Sequence, residues 1–423
     1  MKLLSVLALV IAAAPALASW EAAERHIASL REAMHVYHNE QGLLQDVRLS
    51  WMEQYQMAVV QPCGGNGSRL KDGATPFDHE FRRSWLCADA DFRTGTHFGS
   101  VFRVGGLPHR YRVSDGRRRR DYSYTDIFEL WVKQDLSSAV RGMSLKLGKV
   151  SPLFTTDYIT SASALDCTER SVMGGPQYGL DSNWGAELSY SPTKRTTLFL
   201  QLLANDRASD DKDNGNRDVY RDGRGAKGEF GWEDKWFMIL GGEHRFAESG
   251  HGHHKLTAQY GHDFDNSYGN ESVPGANYFG LNVKDALSLG HEWKHDALTL
   301  NTNVIANAEM RRPTREGNGN NIGLQLQPVY SLTPHTDLVL RYMGMTGHGA
   351  CKLGADRYVT RHAEAPKWAD SIHSLYAGVN FFLSAQDKHA AKLMFGAEYL
   401  HARAEGDTAY CGWEFTSALR WRF

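Results

Sequence analysis

The chain has 423 residues, 47 Lys and Arg against 49 Asp and Glu, and a formal net charge of −2. That balance excludes recognition of nucleic acid by bulk positive charge. Glycine is abundant (41), proline sparse (12), and the aromatic complement is large, with 11 Trp, 18 Tyr and 18 Phe. Past the first residues no apolar run approaches the ~18 residues of a spanning helix, which leaves a β-barrel as the only way this chain could cross a bilayer.

In chain order, residues 1–18 carry Lys2, an apolar run from Leu3 to Ala14, and Ala16-Leu17-Ala18. This is the layout of a secretory signal cleaved before Ser19, and it implies export. Residues 19–42 place Trp20, Ala23, Ile27, Leu30 and Met34 at helical spacing, which predicts a short periplasmic helical leader lying near a barrel rim. From residue 43 to 423 the period becomes two. Val47, Leu49, Trp51, Tyr55, Met57 and Val59 alternate with Arg48, Ser50, Met52, Gln54 and Gln56. Successive side chains of a strand point to opposite faces, so one set would meet lipid and the other a lumen. A strand returns through Glu80 to Phe92, and the tight Arg93-Thr94-Gly95 turn follows.

Long polar connections then alternate with short ones. The long ones follow Val104, Lys149, Ala204, Asp263, Ala308 and Thr346; the short ones sit at Ser191–Thr193, Lys294–Asp296, Thr333–His335 and Gln386–Lys388. External loops and periplasmic turns of an outer-membrane barrel differ in this way. The count comes to about sixteen strands, provided Gly225–Phe246 is a loop hairpin followed by one strand. The last eleven residues, Trp413–Phe423, put Trp413, Phe415, Leu419, Trp421 and Phe423 on one parity and Glu414, Arg420 and Arg422 on the other. The predicted fold is all-β: a transmembrane antiparallel barrel of about 16 strands with a helical leader. The connection from Val150 to Asn183 is the candidate for a third loop folded into the lumen.

In such a barrel the function lies in the charges that line the pore. The lumen parity supplies Arg48, Arg83, Arg103 and Lys146, with Arg245, Arg341, Lys392, Arg420 and Arg422 as further candidates; Glu129, Glu187, Glu243, Glu292, Glu398 and Glu414 oppose them. Rings of Arg or Lys favour anions, and the planar guanidinium fork suits phosphate. The basic residues concentrate on the first five strands, which sets the expected sign. The loop Leu107–Tyr122, with Arg117–Arg120, would concentrate anions at the mouth or bind lipopolysaccharide phosphates.

No nucleophile pairs with a lipid-facing His, so no enzyme is expected, and no cofactor or metal site is read. His251, His253 and His254 lie in a Gly-rich turn without a fixed scaffold, and Asp210–Asp213 lacks the spacing of a calcium loop. Of five cysteines, Cys63, Cys87, Cys167, Cys351 and Cys411, the pair to test for a disulfide is Cys351 with Cys411.

Ser144–Lys149, running on through Phe154–Asp157 to Ser161–Ser163 and Thr168–Arg170, resembles the fifth strand and third loop of the phosphate-selective porins O and P. Phe81-Arg82-Arg83 with Trp85-Leu86 resembles that family's second strand, and Val47-Arg48-Leu49 with Tyr55 its first. The resemblance implies a sixteen-stranded trimeric porin with an arginine-lined, anion-selective channel. Carried over, Arg48 matches the first-strand lumen arginine, Arg82 and Arg83 the paired arginines, and Lys149 the arginine at the head of the constricting loop. The acidic residue of the family's third strand is not found around Arg103–Gly106. The expected channel-lining, anion-binding set is therefore Arg48, Arg82, Arg83, Arg103, Lys146 and Lys149. Small anions would be the solutes, with outer-membrane lipid and lipopolysaccharide around a homotrimer. The alternative is a structural or adhesive barrel with an occluded pore and partner-binding loops.

Overall fold

A computed structural model describes residues 20–64, 68–103, 109–112, 118–121, 126–174, 182–204, 206–207, 236–247, 250, 252–264, 278–279, 283–311, 318–349, 357–364 and 369–423. One sheet of seventeen strands dominates it, of which sixteen close into an antiparallel barrel. These are β1 (Leu44–Pro62), β2 (Phe77–Phe92), β3 (Thr96–Arg103), β4 (Asp126–Asp135), β5 (Met143–Val150) and β6 (Asn183–Thr193). Then come β7 (Thr196–Ala204), β8 (Trp236–Arg245), β9 (His253–Asp263), β10 (Asp285–His295) and β11 (Leu298–Arg311). The last five are β12 (Asn318–Thr333), β13 (Thr336–Gly349), β14 (Ser371–Phe382), β15 (Ala391–Ala404) and β16 (Asp407–Arg422). Each pairs with its neighbours in sequence, and β1 closes the ring on β16 from Met52↔Arg422 to Pro62↔Gly412.

Alternation governs what each face carries. On β7, Leu200 is 41% exposed while its neighbour Gln201 is fully buried. On β13, Leu340 is 52% exposed and Arg341 only 1%. Rows of outward Leu with inward Gln and Arg suit a chain whose outer solvent is lipid, because the ring of strands satisfies all its own backbone groups. Of Gly225–Phe246, residues 225–235, with the expected loop hairpin, lie outside the described residues; the described part supplies one barrel strand, β8, so the sixteen stays even. The Arg-rich stretch forms a ribbon of His109–Arg112 paired with Arg118–Asp121.

The seventeenth strand, His35–His38, is a short arm paired with the start of β1. It follows α1 (Trp20–Ala33), which packs on the rim. Ile27 is buried with Ala390 and Ala391, against Trp421 and Phe423. The Glu24 carboxylate accepts a 2.8 Å bond from the Ala385 amide in the β14–β15 turn. A further helix, α3 (Arg357–His362), the third in chain order, packs Tyr358 and Val359 on inward residues of the strand ends, among them Val60, Ile372 and Tyr410. α3 ties two external connections together: Tyr358, fully buried, donates to Glu80 at 2.8 Å, and Lys71 N donates to His362 O at 2.9 Å.

Candidate channel constriction

The chain between β5 and β6 does not stay outside the barrel. It enters on Val150 and Phe154, both buried in an apolar cluster with Leu203, Phe237, Ile305, Met343 and Met345 from the inner wall. A single helical turn, α2 (Thr156–Ile159), then forms with Thr155 as its N-cap. Thr155 adopts a φ of 63°, uncommon for a β-branched residue, and its hydroxyl donates to Gly174 O at 3.2 Å. Arg170 closes the other end of the turn, donating to the carbonyls of Asp157 at 3.0 Å and Thr160 at 2.9 Å. Asp157 in turn accepts from Ser171 N at 2.6 Å. The loop is thus a small folded unit, joined at both of its edges.

Residues 165–169 of that unit meet the wall on the far side of the ring. Lys392 donates to Leu165 O at 2.6 Å, and Arg420 to Leu165 O and Thr168 O at 3.1 Å each. Arg341 donates to Glu169 O at 3.0 Å while its other nitrogen grips Glu398 at 3.1 Å. Gln327 holds Asp166 at 3.1 Å, Asn380 donates to Asp166 O at 2.8 Å, and Gln54 reaches Thr168 O at 3.2 Å. Thr168 and Thr416 share a 2.7 Å hydroxyl contact. Strands β1 and β12 to β16 therefore clamp the loop chiefly by its backbone carbonyls. Burying those carbonyls unpaired would cost about 1–3 kcal/mol each, so every inward donor here has a structural task.

Glu169 is the loop's charged anchor to β2. Its carboxylate accepts from Arg82 Nε at 2.6 Å and lies 3.7 Å from Arg83. Alternation alone would send Arg82 and Arg83 to opposite faces. A register shift between Gln54↔Arg83 and Tyr55↔Phe81 leaves Arg82 as an extra residue, so both guanidinium groups reach Glu169. Arg83 also donates to Gln54 at 2.5 Å.

No family model matches the chain, and no curated relative does. Among solved structures it resembles the outer membrane channel DcaP of Acinetobacter baumannii, at 9% identity and a TM-score of 0.53. That match covers 92% of this chain and 99% of the other. The anion-selective porin of Comamonas acidovorans matches at 11% identity and a TM-score of 0.53, over 89% of this chain and 99% of that one. OprB of Pseudomonas putida gives 10% and 0.53, over 89% and 94%. The fold is that of an outer-membrane porin.

Within this porin fold the predicted residues fall into three groups. Arg82 and Arg83 stand at the loop, as described. Arg103 and Lys146 stand on the lumen parity of β3 and β5: Arg103 lies 4.0 Å over the Phe128 ring, and Lys146 sits 3.4 Å from Glu187 and 5.0 Å from Trp131. Arg48 and Lys149 depart from the expectation that they border the constriction. Arg48 is on the lumen parity but six residues before Gln54, about 20 Å down the strand at ~3.3 Å per residue. There it pairs with Asp46 and, at 2.9 Å, with Asp91. Lys149 pairs in register with Leu130 and Trp184, on the outward parity that Leu145 and Leu147 share, and its ammonium donates to Ile127 O at 2.8 Å.

Inward cations also come from strands late in the chain. The most deeply buried cations, Arg341, Arg420 and Lys392, come from β13, β16 and β15. Sequence parity placed them inside; it could not show that loop carbonyls occupy them. Cys351, Asp210–Asp213 and His251 lie outside the described residues. Cys411 lies beside Cys63, whose amide donates to Cys411 O at 3.0 Å.

Proposed function

We propose that the protein is an outer-membrane porin, a passive water-filled diffusion channel that favours small anions, phosphate among them. The carrying observation is the folded loop inside a sixteen-stranded ring, with Arg82 beside it and Arg103 and Lys146 on the wall from which the loop departs. Arg82 retains 28% side-chain exposure and Lys146 22%, whereas Arg83 has 3% and Arg341 1%. Water-accessible cations act on a passing ion; those buried against carbonyls act on the loop. Selectivity therefore rests on Arg82, Lys146 and Arg103, with Arg83 positioning Gln54 and Glu169. The planar fork of Arg82 and Arg103 suits phosphate oxygens. The resemblance of residues 44–200 to the phosphate-selective porins supports the same reading, and with it export through residues 1–18 and a homotrimer set in lipid and lipopolysaccharide.

Planar bilayers test this. Ohmic single-channel steps are expected, with reversal potentials in a salt gradient that favour the anion. Arg82→Ala combined with Lys146→Glu is expected to shift the preference several-fold toward cations. Absence of conductance, or an unchanged reversal potential in that variant, overturns the proposal. Cross-linking in mild detergent reads the trimer directly.

A further inference from the structure

The leader arm carries His35 and His38, three residues apart on a strand of four, where strict alternation would put them on opposite faces. The pairing with β1 runs His35↔Arg48, Tyr37↔Val47 and His38↔Asp46, so Val36 is an extra residue on the arm. That bulge turns both imidazoles to the side of Asp46. Their rings lie 5.5 Å apart, edge to face. His35 Nε2 touches Asp46 Oδ1, His38 Nδ1 stands 3.6 Å from the same oxygen, and the three ligand atoms all lie within 4.8 Å of one another. We propose that His35, His38 and Asp46 form a binding site for a divalent transition metal of the zinc class at the periplasmic rim.

The chemistry of the donor set supports it. Bonds of ~2.0–2.1 Å in a tetrahedral site put neighbouring ligand atoms about 3.4 Å apart, close to the His38–Asp46 separation. Two imidazoles and one carboxylate favour zinc, copper, nickel or cobalt over magnesium or calcium, which prefer oxygen throughout. The outer support is already in place. Asp46 is buried, and its second oxygen is held by Arg48, which is held by Asp91 at 2.9 Å, which meets His97 Nδ1 at 2.5 Å. Glu40 lies 3.8 Å from His38 Nε2, on the far side of the ring from Asp46. Partners of this kind fix ligand orientation and raise basicity. Both histidines are exposed, so a metal can enter and a fourth position stays open to water. Bound metal would pin the arm to β1, and α1 with it to the rim.

The test uses the full chain in detergent after chelator treatment, with zinc chloride followed by desalting and elemental analysis. One equivalent of zinc is expected to remain bound, and His35→Ala/His38→Ala is expected to lose it. Because the chain has 19 histidines, His253→Ala/His254→Ala serves as the control and is expected to retain it. Cobalt in place of zinc is expected to give the intense visible bands of four-coordination in the native chain, weakened in Asp46→Asn. A far-ultraviolet β spectrum shows that each variant is folded. Failure of the native chain to hold one equivalent overturns the proposal, as does full retention by the His35/His38 variant.

Discussion

At the residue scale, burial decides which charges serve the structure and which serve a solute. Lys392 is 1% exposed and Arg420 wholly buried, and both donate to loop carbonyls, Lys392 to Leu165 O and Arg420 to Leu165 O and Thr168 O. Cys167, on the same loop, is buried beneath them, and burial pushes its thiol up to about 12. A thiol held protonated is a poor nucleophile. Cys167 is therefore expected to resist maleimide at neutral pH in the folded protein and to react after denaturation, whereas the exposed Cys63 reacts in both. Peptide mass spectrometry of labelled samples checks it, and rapid labelling of Cys167 in the fold would place the loop elsewhere.

At the element scale, tyrosines lie over glycines two residues on, along one face of their strand. Tyr376 covers Gly378 and the neighbouring strand's Gly396, Tyr410 covers Gly412, and Tyr342 covers Gly344 on the outer face. A Cβ at Gly396 would come within 2.3 Å of the Tyr376 ring, which is only 1% exposed and has little room to yield. Tyr376 also lies beneath Arg341, with the guanidinium 5.4 Å from its ring centre. Gly396→Val is thus expected to destabilise the barrel by about 1–3 kcal/mol, the usual range for overpacking. It should also loosen the grip of Arg341 on Glu169 O. Urea unfolding in micelles measures the first effect, and a midpoint equal to that of the native chain would show that the glycine is not needed for space. Turns are equally legible at this scale. Glu405 and Gly406, with φ of 55° and 88°, form the two-residue hairpin between β15 and β16 that right-handed strand twist favours.

At the scale of the whole molecule, the loop between β5 and β6 fills part of a ring too wide for side chains alone to close. Its anchors sit far away in sequence, Arg341 being 172 residues from Glu169 and Arg420 252 from Thr168. Deleting residues 161–174 is expected to raise single-channel conductance severalfold and to weaken ion preference, since Glu169, which holds Arg82, leaves with the loop. Equal conductance in planar bilayers would mean that the loop does not limit flow.

The amino-acid order by itself determined the barrel, because inside and outside of a strand are set by parity alone, a property each residue shares with its nearest neighbours. Outward Leu338 and Leu340, inward Arg341, the long and short connections and the single strand after residue 235 were all readable on that ground. The in-folded loop was readable from its length and its likeness to a known porin loop. Only the tertiary structure decided which inward cations meet water. Parity points a side chain inward without saying what it will meet there, and for Arg341, Lys392 and Arg420 it was backbone carbonyls supplied from more than 170 residues away. Two bulges changed the outcome as well. One sends Arg82 inward beside Arg83, and the other brings His35 and His38 to one side, since a single extra residue reverses the alternation on which any reading of a strand depends.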